Sequence, residues 1–234
     1  MDAYIGTSGY SYDFWKGTFY PAEIHREEML AAYARRLRAV EINNTFYRMP
    51  KRDVVQRWAA AVPESFRFAI KASRRITHQK RLRACEEDVA YMYSVLEPLE
   101  DRLGATLFQC APHLRKDLEL LRAFLSMLPS HARPVLELRH PSWACEEVSD
   151  LLREHEAVWC VTDEEPSEST TIVSTADWGY VRLRAEHYED QALSMWAQRL
   201  RESWQRVFVF FKHEETAPAL AERLALALDA TRGG

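Results

Sequence analysis

The sequence predicts a (βα)8 barrel of the TIM type, an α/β fold in which eight parallel strands alternate with helices. Three observations carry that expectation. Eight short apolar runs recur along the chain, stretches of helical period follow them, and no Pro/Gly/Ser-rich linker divides the 234 residues. Alternating βα units imply a parallel sheet with helices on its faces, and eight of them point to closure. Barrels of this kind typically need about 250 residues, so the chain reads as one compact domain over 1–234. An open doubly wound sheet is the alternative, but no G-x-G-x-x-G follows the first run.

The first run, Tyr4–Thr7, leads into a loop from Ser8 to about Ile24, well beyond the roughly 2–6 residues usual for a βα connection. Met29, Leu30, Tyr33 and Leu37 then recur at helical spacing. The second run, Ala39–Ile42, precedes a helix marked by Val54, Val55 and Trp58 and closed by Pro63. The third, Arg67–Lys71, precedes a cationic loop and the Val89, Met92, Val95, Leu96 stripe. Gly104 stands before the fourth run, Ala105–Gln109. Asp117 is placed to cap the next helix (Leu118, Leu121, Phe124, Leu125, Leu128), and Pro129 ends it. The fifth run, Pro134–Leu138, is followed by Val148, Leu151 and Leu152, and the sixth is Ala157–Thr162. The seventh, Tyr180–Arg184, pairs with a Leu193, Trp196, Leu200 stripe, and the eighth, Val207–Phe211, with Leu220, Leu224 and Leu228. Each run is expected to carry its own helical stretch. Val40-Glu41-Ile42 and Leu136-Glu137-Leu138 echo one another, which is compatible with half-barrel duplication.

Composition narrows the function classes. An apolar fraction of 47% is too high for a disordered chain. No apolar run reaches the roughly 18 residues of a membrane span, and the N-terminus lacks a signal-peptide layout. Cys85, Cys110, Cys145 and Cys160 are far apart, so neither a disulfide scaffold nor a zinc knuckle is indicated. A net charge of -4 leans against a protein coated in nucleic acid. The expectation is a cytoplasmic protein without a membrane partner. Only six of the 31 basic residues are Lys.

Side chains alternate between the faces of a strand, so apolar residues turned toward the helices force their neighbours into the lumen. That rule aims Glu41 and Asn43 inward from the second run, Lys71 from the third and Gln109 from the fourth. It aims Glu137 and Arg139 inward from the fifth, Asp163 from the sixth, Arg182 and Arg184 from the seventh, and Lys212 from the eighth. These residues gather at the C-terminal strand ends, where barrels build their active sites. Buried charges must pair or meet a ligand. Five bases (Lys71, Arg139, Arg182, Arg184, Lys212) against three acids (Glu41, Glu137, Asp163) leave a surplus of two positive charges, which points to an anionic ligand. An ion-pair network that merely fills the top of the barrel is the competing explanation.

Two loops add to the picture. The stretch from Lys71 to Arg83 carries six cations (Lys71, Arg74, Arg75, Lys80, Arg81, Arg83) and His78 without an acid. It reads as a phosphate- or nucleic-acid-facing rim, or as a solvated segment balanced by Glu86, Glu87 and Asp88. The first loop carries Tyr10, Tyr12, Phe14, Trp15, Phe19 and Tyr20, and Tyr47 and Trp143 follow the second and fifth runs. Such rings stack on bases or sugars, or pin a long loop to the barrel.

The possible chemistry is acid–base. No H-x-H or H-E-x-x-H spacing supports a metal, although Glu41, Glu137, Asp163, His140 and His213 could meet at one mouth. No nucleophile elbow and no P-loop is present. Glu41 and Glu137 could face each other as acid and base, and Lys71 among other cations could act as base or Schiff-base former.

Several motifs together resemble the YecE-like family of uncharacterised proteins, a domain-of-unknown-function family. They include Gly6-Thr-Ser-Gly-Tyr10, Trp15-Lys-Gly17, Phe19-Tyr-Pro21, Val40-Glu-Ile-Asn43 and Thr45-Phe-Tyr-Arg48. Further along come Trp58, Pro63, Phe66-Arg-Phe-Ala-Ile-Lys71, Ile76-Thr-His78, Gln109-Cys-Ala-Pro112, Glu137-Leu-Arg-His140 and Ser142-Trp143. The resemblance covers essentially the whole chain and implies a compact (βα)8 barrel. By analogy with barrels of the endonuclease-IV or sugar-isomerase arrangement it also implies phosphate or nucleic-acid ligands. The chain departs from the family pattern at Arg182-Leu-Arg184-Ala185, where Arg-x-His-Gly is usual, and at Lys212-His213, where Asn-Asn is common.

The functional expectation is therefore a mouth that binds a small anionic or phosphorylated ligand, without cofactor or metal, for hydrolysis or lysis. Glu41 and Glu137 would serve as acid and base, Lys71 as their partner, and Arg139 with Arg182 as the anion clamp. Asn43, Tyr47, Arg74, His78, Gln109, His140, Trp143, Asp163, Arg184, Lys212, Tyr10 and Trp15 would complete the ligand site. The alternative is a non-catalytic nucleic-acid-binding protein using Arg74–Arg83 and the aromatic first loop.

Overall fold

The computed structural model describes residues 1–163 and 170–230, with backbone alone at 230. Among the described residues nine strand segments, all parallel, run in the order β6-β5-β4-β3-β2-β1-β9-β8-β7. They are β1 (Asp2–Ser8), β2 (Ala39–Ile42), β3 (Arg67–Lys71), β4 (Leu103–Gln109), β5 (Pro134–Glu137), β6 (Val158–Trp159), β7 (Val161–Asp163), β8 (Trp178–Leu183) and β9 (Arg206–Phe211). The two ends of that order, β6 and β7, are halves of one strand parted by Cys160. Val158 and Trp159 pair with β5, while Val161–Asp163 pair with β8. The backbone N–H of Cys160 still donates to Leu136 O at 2.9 Å, so pairing passes through the break. The sheet thus closes into a barrel of eight strands, as the count of apolar runs predicts.

Among the described residues seven α-helices surround it: α1 (Met29–Ala34), α2 (Arg52–Ala60), α3 (Glu86–Leu96), α4 (Leu118–Ser126), α5 (Glu146–Glu154), α6 (Asp190–Ser203) and α7 (Ala217–Ala230). Each apolar stripe read from the sequence falls on one of them, except that Leu37 and Leu128 lie just past the ends of α1 and α4. Asp117 caps α4 as expected, its side chain accepting from the Leu120 N–H at 3.0 Å. The sixth unit differs, for the described residues between β7 and β8 form no helix. That stretch, Thr170 to Asp177, is rich in β-branched and Ser/Thr residues and lacks a 3.6-residue apolar period.

Strand alternation splits the interior in two. Val40, Ile42, Phe68 and Ile70 turn outward to the helices in one large cluster. Tyr4, Ala39, Ala69, Ala105, Leu107, Val135, Val158, Cys160, Tyr180, Phe208 and Phe210 fill the lumen. The lower lumen is an aromatic plug, with Tyr4 stacked on Phe208 at 5.0 Å and Tyr180 against Phe210 at 5.2 Å. Gly104 lies inside β4, not before it. A Cβ there would come within 2.7 Å of the Phe208 ring, so the plug requires glycine at that point. Small lumen residues on β2, β3 and β4 leave room for these rings.

Candidate functional site

The upper lumen is polar, and strand register explains its first contacts. Ser8 on β1 sits beside Glu41 on β2, and Gln109 on β4 beside Glu137 on β5. Parallel neighbours in register point the same way. The Ser8 hydroxyl therefore donates to Glu41 Oε1 at 2.5 Å, and Gln109 Nε2 to Glu137 Oε1 at 2.8 Å. The Asn43 amide also donates to Glu41 Oε1 (2.9 Å), and the Tyr180 hydroxyl to Oε2 (2.7 Å).

Arg182 joins the two carboxylates. Its Nη2 reaches Glu41 Oε1 at 2.9 Å and its Nη1 reaches Glu137 Oε2 at 2.6 Å. Arg184 Nη2 adds a bond to Glu137 Oε1 at 2.8 Å. Arg182 is 1% exposed, Glu41 0% and Glu137 4%, so these are charge-assisted bonds in a dry setting, where geometry decides whether the charges are tolerated. Burial alone would raise the Glu41 carboxyl; Arg182, Lys212 and the Ser8 hydroxyl outweigh it and hold it well below its ordinary range. Glu137 is likewise lowered, by Arg182, Arg184 and Gln109 against its burial. Arg182 is held charged, because Glu41 and Glu137 overcome its desolvation.

Both carboxylates are therefore locked as saturated, ionised acceptors. The lowered values favour the ionised form of both near neutral pH, so of the expected acid–base pair it is the proton-donor half that these electrostatics oppose.

Lys71 and Lys212 stand differently. Both are half-buried at their strand ends, and among the described residues neither ammonium has an ion pair or hydrogen bond. Lys71 Nζ lies 4.2 Å from the Phe46 ring centroid. Burial pushes its pKa down to about 8, helped by Arg182 and Lys212 and opposed by Glu41 and Glu137. Lys212 is lowered too, by burial first, then by Arg182 and Arg184 against the two glutamates. Among the described residues the mouth's inner shell holds four cations (Lys71, Arg182, Arg184, Lys212) and two carboxylates, a surplus of two.

Other expected site residues fall elsewhere. Arg139 is exposed at the rim, close enough to lower the His78 pKa together with burial and Lys71. His78 packs edge-on against Phe46 at 5.0 Å. Asp163 does not enter the lumen. Val158 and Cys160 face inward and Val161 outward, so Asp163 shares the outward parity of Val161. It accepts from Thr170 and Tyr188 hydroxyls at 3.4 and 3.5 Å, and burial raises its pKa.

Trp143 is fully buried and donates to Leu114 O at 2.7 Å, so it packs the core and presents no ring to a ligand. Trp15, 2% exposed, donates to Glu214 O at 2.8 Å and pins the first loop to the last βα connection. Tyr10 packs against Tyr33, and its carbonyl accepts from the Tyr20 hydroxyl. His140 caps the short turn Pro141–Trp143 by accepting from the Ser142 N–H. Tyr47, 73% exposed, remains an open ring, as does Phe14 in the first loop. In the basic loop, Arg74 is exposed, Arg75 and Lys80 both pair with Asp88 (2.6 and 2.7 Å), and Arg83 pairs with Asp117. Three of its six cations are thus paired, with two carboxylates between them.

Ser8, Tyr180 and Phe46 belong to the site although charge counting passes over them. Tyr180 shares a face with Arg182, two residues on, and alternation alone would have found it. Among the described residues no group of three His, Cys, Asp or Glu side chains gathers to hold a metal.

The chain as a whole is similar to known proteins. A family model described as "Protein of unknown function DUF72" fits residues 4–234. The chain belongs to the DUF72 family. A DUF72 protein from Thermotoga maritima superposes with a TM-score of 0.79, 25% identity and complete coverage of both chains. One from Enterococcus faecalis gives 0.79 at 20% identity, covering 97% of this chain and 95% of that one, a likeness of fold. The UPF0759 protein YecE of Escherichia coli K12 is 36% identical over 115 residues, 49% of this DUF72 chain and 42% of that protein. The chain thus spans less than half the length of that relative in the matched region.

Proposed function

We propose that the C-terminal mouth of this DUF72 barrel binds a small anionic ligand of the phosphate or carboxylate class. One observation carries the reading. Lys71 and Lys212 stand half-buried without a carboxylate among the described residues, while Glu41 and Glu137 are already saturated by Arg182, Arg184, Ser8, Asn43, Gln109 and Tyr180. The carboxylates act on the lysines only at longer range, their hydrogen bonds being taken by other donors, so the surplus charge among the described residues favours an outside anion. Asn43 Oδ1 is buried without a donor, which suits a hydroxyl on the same ligand, as in a phosphorylated polyol. Hydrolysis or lysis at this mouth would use Lys71 as the base.

Titration with inorganic phosphate, followed by amide chemical shifts, tests the reading. Shifts should centre on the ends of β3 and β9, and Lys212→Met should weaken binding at least tenfold. Unaltered affinity in that variant would sink the proposal.

A second reading has its own observation. A groove of about 640 Å³ lies beside the basic loop, lined by Arg48, Lys51, Ser73, Arg75 and Tyr91. Exposed Tyr47 and Tyr91 could stack bases while the cations track a single-stranded nucleic-acid backbone. A short oligonucleotide should then bind with an affinity that falls steeply with salt. Binding that is absent, or indifferent to salt, removes this reading.

A further inference from the structure

The chain's six lysines fall into two groups. Lys16 pairs with Asp13 and Lys80 with Asp88. Lys116 Nζ lies 3.3 Å from the Cys145 thiol, and Lys51 is exposed. Only Lys71 and Lys212 are half-buried at barrel strand ends without an acidic partner among the described residues. A partly dry site that also holds Arg182 and Lys212 loosens the proton on Lys71, so that a fraction of it is free amine just above neutral pH.

Lys71 is the better placed of the two. Its Nζ sits over the face of Phe46, and the edge of the same ring carries His78. The charged groups that act on it are Arg182 and Lys212 against it and Glu41 and Glu137 for it, and both glutamates are committed to arginine. The Phe46 ring covers one side of the amine. Lys212, just past the end of β9, supplies a second positive charge that acts on Lys71.

We propose that Lys71 is a carbonyl-capturing amine, its Nζ condensing with the aldehyde or ketone carbon of a small anionic substrate whose charged end is held by Lys212. The inference rests on the anion-binding reading above and names the substrate class. The neutral amine donates its lone pair to the carbonyl carbon, forming the N–C bond, and the carbonyl oxygen takes up a proton to give a carbinolamine. That oxygen leaves as water when the nitrogen lone pair forms C=N, so the sum is amine, carbonyl and one proton giving iminium and one water. No electron acceptor or donor is required. His78, whose pKa burial and Lys71 lower, packs against the same Phe46 ring and is the group assigned to exchange that proton. The iminium restores the positive charge that the amine had given up, and Glu41 and Glu137 across the mouth balance it.

The test is reductive trapping on the full chain. Pyruvate, glycolaldehyde and dihydroxyacetone phosphate would each be incubated at pH 7.5 with sodium cyanoborohydride, then read by intact mass and peptide mapping. Lys71 should carry a single adduct, of the probe's mass less one oxygen, at least tenfold faster than exposed Lys51. Inorganic phosphate should slow it. Lys71→Met should abolish the adduct, and Lys71→Arg, which keeps a positive charge at the site, should do the same with an unchanged melting temperature.

Labelling spread evenly over Lys16, Lys51 and Lys71, or labelling of Lys212 alone, would overturn the inference. Phosphate binding at the mouth without a Lys71 adduct would sink the amine chemistry and leave the anion site standing. Failure of phosphate binding as well would remove both.

Discussion

The two ends of the lumen fill the same tube by opposite means. The lower half is a stack of rings, Tyr4, Phe208, Trp178 and Phe210, that needs no counter-charge. The upper half is a bridge of one guanidinium between two carboxylates, with two further ammonium groups left over. The aromatic layer gains from desolvation, about 25 cal/mol per Å² of apolar surface. The ionic layer pays it, and recovers it only through complete hydrogen bonding. The lower half thus gains from burial itself, while the upper half depends on its pairing, and among the described residues that pairing leaves two ammonium groups over.

The largest expected effect breaks the upper layer. Arg182→Met leaves Glu41 and Glu137 buried without their common partner, and urea unfolding should register a loss of about 5 kcal/mol, at the upper end for a broken buried pair. A loss below about 2 kcal/mol would mean the carboxylates find other counter-ions and the bridge is not the keystone. Next comes Phe208→Ala in the lower layer, expected to cost about 3–4 kcal/mol through the cavity it leaves. Phosphate binding at the mouth should survive that change; a parallel loss of affinity would show that the two layers act as one.

Acid unfolding sharpens the comparison further. The glutamates' folded pKa values lie below their unfolded ones, so their contribution is complete above the ordinary carboxylate range and is lost as pH falls through the folded values. Urea midpoints should decline below about pH 4, and Glu137→Gln should flatten that decline. An unchanged profile would contradict the lowered values. Tyr180→Phe removes one donor from Glu41 and should cost about 1.5–2 kcal/mol, as for a hydrogen bond to a charged group.

The smallest effect is alkaline. The Lys71 pKa falls to about 8 on folding, so between there and its ordinary value the unfolded chain binds a proton that the folded chain does not. Lys71, with Lys212 acting in the same direction, should add a stabilising slope with pH across that window, and Lys71→Met should remove the Lys71 share of it.

Much of this was readable from residue order. The inward aim of Glu41, Lys71, Glu137, Arg182 and Lys212 follows from period two in strands whose outward residues are plainly apolar. Asp163 was misplaced because its run, Ala157 to Thr162, is apolar on both faces and so carries no parity signal. Trp15 and Trp143 were legible as aromatic loop residues but not as core. Their hydrogen-bond acceptors are backbone carbonyls 199 and 29 residues distant. The same limit hid the bridge itself, since a count of charges cannot tell which arginine serves which acid.

That bridge also sets an order of events. Glu41 and Glu137 leave the ribosome well before Arg182, which lies 141 and 45 residues beyond them. The first five strands can pair as they appear, but their upper lumen must stay wet until the eighth strand segment arrives with its guanidinium. A nascent chain halted near residue 170 should hold those two acids at ordinary solution acidity, and the final closing of the barrel is the moment at which they become strong ones.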